Sequence, residues 1–274
     1  MKMTTKDEYL QSIYKIIYYI EQNYNYDLSL EELSKVAGFS KYHFHRIFKS
    51  IVGENLSQYI RRVRLSSTTM KFKTNLNITQ IAQTSGYETN ASFSKAFKKH
   101  FGITPKEFSK NAKKKKGNKM LEPKIIHIEP IEVLYVRKTG YYLSSADEAW
   151  KTMVAFVTEY GLFEKVVARY GISHDNPNVI EENNLRYDAC LELNDSINPK
   201  GEVSKKQIAG GKYALFVHKG SYELLEETFR SIGDWIVETG TSLRDEPSVQ
   251  KYLDLDPTGI KEEDLRTELY IPIS

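Results

Sequence analysis

Leu30-Glu31-Glu32-Leu33-Ser34-Lys35-Val36-Ala37-Gly38-Phe39 returns further along the chain as Ile78-Thr79-Gln80-Ile81-Ala82-Gln83-Thr84-Ser85-Gly86-Tyr87. Each copy reads as a short amphipathic helix, a glycine turn and the approach to a second helix. After each turn comes Phe-x-x-x-Phe-Lys-x-x-x-x-Gly, once as Phe44, Phe48, Lys49, Gly53 and again as Phe93, Phe97, Lys98, Gly102. The phenylalanine pair makes one helix face apolar and leaves the opposite face for polar chemistry. Two helix-turn-helix units in one polypeptide can each present a helix to a major groove, so a single chain could read two successive groove segments.

The flanking residues extend this pattern. Ile13, Ile16, Ile17 and Ile20 mark an amphipathic first helix, with Tyr14, Tyr18 and Tyr19 around it. Ser29 is placed to cap the next helix, with Glu32 completing a capping box, and Leu30, Leu33, Val36 and Ala37 face inward. Gly38 supplies the turn and Ser40 caps the helix that follows. There Phe44, Ile47, Phe48 and Ile51 form the inner stripe, leaving Lys41, Tyr42, His45, Arg46 and Lys49 outward. A helix from about residue 56 through 71 joins the units, carrying Tyr59, Ile60, Val63 and Leu65 with Arg61, Arg62 and Arg64. In the second unit Ile78, Ile81 and Ala82 pack inward and Phe93, Ala96 and Phe97 anchor the outer helix. Its exposed face is Asn90, Ala91, Ser94, Lys95 and Lys98. One extra residue in this copy puts Ala91 opposite Tyr42 and Lys95 opposite Arg46. Ala91 has no hydrogen-bonding group, so the second unit reads more sparsely, through a thymine methyl and Lys95.

Charge divides the chain. Residues 1–119 carry 22 Lys or Arg against 9 Asp or Glu, a net of +13, while residues 120–274 carry 17 against 27, a net of −10. The overall +3 hides this dipole. A basic front half suits a phosphate backbone, and an acidic rear half would be repelled by one. Lys113-Lys114-Lys115-Lys116-Gly117-Asn118-Lys119 is a hydrophilic run without apolar periodicity and reads as a linker between residues 1–112 and 120–274.

Gly38-Phe39-Ser40-Lys41-Tyr42-His43-Phe44-His45-Arg46-Ile47-Phe48-Lys49, Tyr59 to Leu65, Ile81-Ala82 through Gly86-Tyr87, Phe93 to Lys98 and Gly102-Ile103-Thr104-Pro105 occur in the order found in the AraC/XylS transcriptional regulators, and residues 8–110 resemble that family. The resemblance implies an all-helical DNA-binding domain whose two recognition helices enter adjacent major grooves of double-stranded DNA. It implies base-facing roles for Tyr42, His45, Arg46, Asn90, Ala91 and Lys95. It implies backbone contacts from Ser40, Lys41, Lys49, Thr89 and Lys98.

The rear half has its own internal echo. Residues 133–141 and 214–222 each read as an alternating strand ending in a basic pair and a glycine turn, with a helix after each. Trp150 precedes Gly161 by the same interval as Phe229 precedes Gly240, which pairs Phe156 with Trp235. Two such units predict a pseudo-symmetric α+β domain with an antiparallel sheet. Further strands are expected at 125–127, 186–193 and 268–273. A groove between two such halves suits a ligand, and Tyr141, Trp150, Tyr222, Trp235 and Tyr270 with Glu268 would make an aromatic box with a carboxylate.

Phe216 to Tyr222, Trp235, Gly240, Leu185 to Cys190 and Thr267-Glu268-Leu269-Tyr270-Ile271-Pro272-Ile273 resemble the GyrI-like small-molecule-binding domain over residues 120–274. This implies an aromatic or cationic effector met by Glu268. Pro247-Ser248-Val249-Gln250-Lys251-Tyr252 departs from the family, whose members often carry glutamate where Gln250 stands. The whole resembles a Rob-type architecture. It implies a transcriptional activator controlled by a small molecule, with RNA polymerase as a protein partner. The competing expectations are a hydrolase in which Glu268 activates water, and a protein-interaction module.

Other features exclude more than they assign. No Ser-His-Asp, metal or phosphate-loop signature is present, so no enzyme activity, metal or cofactor is expected. Cys190 is the only cysteine. No apolar run approaches the roughly 20 residues that span a bilayer and the chain starts polar, so a cytoplasmic protein without membrane contact is expected.

Overall fold

The computed structural model describes residues 4–74, 76–112, 122–177, 180–254 and 259–274; the linker read at 113–119 lies outside them. Helix α1 (Thr5–Asn23) begins at a capping box in which the Thr4 hydroxyl accepts from the Asp7 N–H and the Asp7 carboxylate accepts from the Thr4 N–H. Its four isoleucines are buried together with Leu33, Phe44 and Phe48 of α2 (Leu30–Ala37) and α3 (Lys41–Val52). Gly38 joins these helices in the left-handed region at φ 75°.

Two sequence expectations fail locally here. Ser29 accepts from the Glu32 N–H at 3.1 Å, but the Glu32 carboxylate turns to the Tyr19 hydroxyl instead of closing a box. Val36 is exposed, because this eight-residue helix buries Leu33, Ser34 and Ala37. Ser34 tolerates burial by donating to the Glu31 carbonyl at 2.9 Å.

Helix α4 (Leu56–Lys71) belongs to both helical units. Leu56, Tyr59, Ile60 and Val63 pack into the first core, and Leu65 packs into the second. At 1.5 Å per residue, α4 spans about 24 Å. The second unit comprises α5 (Ile78–Thr84), α6 (Asn90–Phe101) and α7 (Pro105–Ala112). Phe97 is its hub, with ring centroids 5.3, 5.4, 4.3 and 5.5 Å from Phe72, Phe93, Phe101 and Phe108.

Arg64 locks the units together. It donates to the carbonyls of Tyr24 and Tyr26 at 2.7 Å each. Gly86 presses on the same place: a Cβ there would stand 2.8 Å from the Tyr24 carbonyl oxygen and 2.9 Å from Arg64 Nε. The second turn therefore seats directly against the loop between α1 and α2.

The remaining chain forms one antiparallel eight-stranded sheet. Its strands are β1 (Lys124–Ile128), β2 (Ile131–Thr139), β3 (Val166–Ser173), β4 (Arg186–Leu193), β5 (Ser204–Ile208), β6 (Gly211–Lys219), β7 (Val249–Tyr252) and β8 (Arg266–Pro272), in the order β1-β6-β8-β7-β3-β4-β2-β5. Helix α8 (Tyr142–Glu159) covers β2 and β4, and α9 (Leu225–Thr239) packs on β6 and β8. Reading outward from the β7–β3 seam, each half repeats the other. The halves exchange their leading strands, since β1 pairs with β6 and β5 with β2. The expected strands at 125–127, 186–193 and 268–273 are present. β3, β5 and β7 lie outside the sequence expectation.

Candidate DNA-reading helices and ligand cleft

Helices α3 and α6 are built alike. Each starts at a hydroxyl cap, Ser40 accepting from the His43 N–H and Thr89 from the Ser92 N–H, and each ends at a left-handed glycine. Each buries a phenylalanine pair and turns a polar face to solvent. On α3, Tyr42, His45, Arg46 and Lys49 are exposed, and the Arg46 guanidinium lies over the Tyr42 ring at 5.7 Å. Lys41 is exposed and paired with Glu31 at 2.7 Å. On α6, Asn90, Ala91, Lys95 and Lys98 are exposed, with the Asn90 amide donating to Thr79 Oγ1 at 2.7 Å. Basic residues elsewhere have structural work: Arg62 is buried against Glu54 and the Asn184 carbonyl.

A cavity of about 1110 Å³ runs between α8 and α9 and reaches α1 and α4. Alternation puts Arg169, Gly171 and Ser173 of β3, Tyr187 of β4, and Gln250 and Tyr252 of β7 on the cleft face. These residues carry a continuous hydrogen-bond chain. The Trp150 indole donates to the Tyr187 oxygen at 3.0 Å, and Tyr252 donates to Gln250 Oε1 at 3.1 Å. Tyr252 has then spent its only hydrogen, so Tyr187 is the donor across the 2.8 Å contact between the two hydroxyls. The Gln250 amide donates onward to Ser173 Oγ at 3.0 Å. Gly171 makes room, since a Cβ there would lie 2.4 Å from the Tyr252 hydroxyl and 2.6 Å from that of Tyr187. Burial, reinforced at Tyr187 by the neighbouring Tyr252, holds both phenols above their ordinary range and keeps them neutral. Arg169 lies over the rings of Trp150 and Tyr252, 4.4 and 5.7 Å from their centroids.

The opposite face of the sheet meets α1 through buried charge. Arg137 pairs with Glu21 of α1 and with Asp188, and Arg186 pairs with Glu21 at 2.8 Å and Asp175 at 2.7 Å. Lys206 also reaches Asp188, and Ser66 of α4 donates to Asp175 at 2.6 Å. Burial alone would raise the Glu21 carboxyl, but the charges facing it, Arg137 first and then His174 and Arg186, together outweigh burial and hold the group at about 2. At Asp188 burial is again opposed, by Arg137 and Lys206, and the carboxyl sits well below its usual range. Burial keeps His174, 2.8 Å from Asp188, below the ordinary imidazole value.

Of the expected box, Tyr141, Trp150 and Tyr222 line the cavity. Trp235 does not: it is core beneath α9, edge-on to Phe216 at 5.2 Å, as Phe156 is core beneath α8. Glu268 and Tyr270 also lie elsewhere. Leu269 and Ile271 face α9, so strand alternation sends their neighbours to the other face, where the Tyr270 hydroxyl donates to Glu268 at 2.7 Å. Arg169, Tyr187 and Tyr252 are cleft residues that the sequence reading misses. Alternation along β3, β4 and β7 is the signal that could find them, but two of those strands escape recognition in the sequence.

Residues 121–274, more than half of the chain, match the GyrI-like small molecule binding domain, and residues 33–111 match a helix-turn-helix domain. The HTH-type transcriptional activator AarP of Providencia stuartii is 34% identical over 114 residues, covering 41% of this chain and 84% of that protein. The multiple antibiotic resistance protein MarA of Escherichia coli (strain K12) is 35% identical over 98 residues, covering 35% of this chain and 77% of that one. Among solved structures, the EcmrR C-terminal domain aligns with 57% of this chain and 99% of its own length at 16% identity and a TM-score of 0.47. No helix among the described residues is long and apolar enough to cross a membrane. The chain belongs to the GyrI-like family, and joins that small-molecule-binding domain to the AraC-type helix-turn-helix DNA-binding region of transcriptional regulators.

Proposed function

We propose that this chain is a sequence-specific transcriptional activator in which residues 1–112 read DNA, residues 113–119 link, and residues 120–274 sense a small-molecule effector. The observation that carries this reading is that two capped helices of equal length, α3 and α6, expose their polar faces while a shared helix holds them apart. Tyr42, His45 and Arg46 meet bases from α3; Asn90, Ala91 and Lys95 do so from α6. Ser40, Lys49, Thr89 and Lys98 hold phosphates, and so does Lys41, because its exposed pair with Glu31 is worth only about 0–1 kcal/mol and yields to a phosphate. AarP is named a transcriptional activator, which supports that direction of control; RNA polymerase is the protein partner that this role would require.

The cavity supports the sensing role because its walls include Glu21 and Tyr24 of α1 and Ser66 and Lys71 of α4 as well as the aromatic cleft. A ligand that extends from the aromatic cleft to those helices touches the reader as well as the sensor. It therefore distinguishes one placement of the helices from another, which any ligand-driven shift requires. Selection of bound duplexes from a random pool tests the DNA reading. The expected product is a bipartite motif whose halves lie about one helical turn, roughly 10 base pairs, apart. Absence of any motif enriched over bulk competitor at moderate salt overturns it.

A further inference from the structure

Resting on the reading of the cavity as an effector site, we propose that its reader-facing corner, around Glu246 and Arg244, is a subsite for an uncharged group with a hydrogen-bond donor beside an acceptor, such as a carboxamide, lactam or urea. Both residues lie on the segment between α9 and β7, and both line the cavity. Of the Glu246 carboxylate, Oε1 makes one long contact, 3.4 Å from Arg244 Nη1, and Oε2 is buried without a partner. Neighbouring Asp245, by contrast, is held at 2.7 Å by Lys71 of α4. Leaving a buried charged oxygen unpaired costs more than leaving a neutral one, so a donor that reaches Glu246 gains more than it would at a satisfied acid. Glu246 meets it by turning about its terminal bond, a broad torsion that a single long contact scarcely resists.

Arg244 supplies the other half of the pattern. Its Nη1 donates to the Gly210 carbonyl at 2.8 Å and its Nη2 to that of Lys212 at 3.3 Å, which fixes the guanidinium, while the buried Nε finds no aligned acceptor. The Nε–H only donates and the carboxylate only accepts. A complementary ligand edge therefore needs an acceptor for Nε next to a donor for Glu246, which is the edge of an amide. A cation satisfies Glu246 but meets the Arg244 charge and leaves Nε unpaired; a carboxylate has the reverse fault. Apolar surface for the rest of the ligand stands alongside. Arg244 lies over the Tyr213 ring at 4.9 Å, and Tyr213 pairs with Pro272 across β6 and β8, both lining the cavity. The corner also borders the reader. Tyr24 is 6% exposed, its hydroxyl has no aligned partner although Ser67 and Asp245 lie close by, and the Lys71 ammonium that holds Asp245 sits 5.9 Å from its ring centroid.

Three probes on one ring system separate the cases: naphthamide, its N,N-dimethyl derivative, which keeps the acceptor and loses the donor, and naphthylmethylammonium, which keeps donors and loses the acceptor. Each is titrated calorimetrically into the full chain and into its Glu246→Leu variant. In the wild-type chain naphthamide is expected to bind at least about tenfold more tightly than the dimethyl form, the scale of one hydrogen bond to a charged group, and more tightly than the ammonium. In Glu246→Leu the advantage over the dimethyl form should fall below about threefold, with the dimethyl affinity itself unchanged. Equal affinities of the two amides in the wild-type chain, or a gap that survives Glu246→Leu and so reflects bulk alone, overturn the proposal. So does an ammonium that binds the wild-type chain as tightly as naphthamide. All three results leave the sensor reading intact. Binding of none of the probes, in a chain that still selects DNA, overturns the sensor reading and this proposal with it.

Discussion

Helices α3 and α6 keep their chemistry in the open, whereas the cleft and the seam behind it keep theirs satisfied. Tyr42, His45, Arg46 and Lys95 are exposed on regular helices, so changing one is expected to leave the fold beneath it untouched. Arg137, Asp188, Glu21 and Arg186 are buried and mutually dependent, so each holds the others in place. On the proposed reading, residues of the first kind can be exchanged for a new operator. Those of the second kind determine whether reader and sensor stay joined.

The largest expected effect breaks the second region alone. Asp188→Asn leaves Arg137 and Lys206 buried against a neutral amide, which costs about 3–5 kcal/mol for a broken buried pair. Denaturant unfolding should show that loss, while the folded fraction keeps its DNA preference. A change below about 1 kcal/mol, on the scale of an exposed pair, would erase the distinction. The same charges set an acid limit. Glu21 has a folded value of about 2 against an ordinary 4.5, so its stabilisation is complete above 4.5 and is lost as pH falls toward 2. Thermal melts across that window should fall steadily, and Glu21→Gln should flatten part of the slope.

A middle-sized effect compares the two turns. Gly38 and Gly86 share a left-handed φ, at 75° and 77°, but only Gly86 has backbone against it, the Tyr24 carbonyl oxygen 2.8 Å from where an added methyl would stand. Gly38→Ala should cost about 1–2 kcal/mol of strain. Gly86→Ala should cost more and also shift the second reader, weakening binding to the bipartite site beyond its effect on stability. Equal effects would mean that Arg64 and Gly86 do not fix the spacing. The smallest effect sharpens the first region: Arg46→Ala should lose about 1–3 kcal/mol on its best duplex and relax one position of the motif, with unfolding unchanged. Uniform weakening on all sequences would make Arg46 a phosphate contact instead.

What the sequence discloses follows the same division. The helical half is legible because its signals are local: caps at Ser29 and Ser40, glycines at the turns, and phenylalanines one turn apart. In the sheet, β4 can be read from its own alternation, but β5 cannot, because Ser-Lys-Lys-Gln-Ile looks like a loop until Lys206 finds Asp188. β3 carries Gly171, which makes sense only beside the hydroxyls of Tyr187 and Tyr252. β7 is four residues long. The cleft inherits that blindness. Trp150 and Tyr222 stand out as aromatics, but the face on which Trp235, Glu268 and Tyr270 fall depends on which residues of β8 meet α9, and that is a long-range contact.

One measurement bears most directly on the claim that reader and sensor share a cavity: the affinity of the full chain for a planar aromatic probe such as naphthamide, with and without its selected duplex. Coupling is reciprocal, so a ligand that alters DNA binding must itself bind differently to the DNA-loaded chain, by about 5-fold or more. That difference is the predicted result. Equal affinities in the two states would contradict it and leave a DNA reader and a ligand domain that merely occupy one chain.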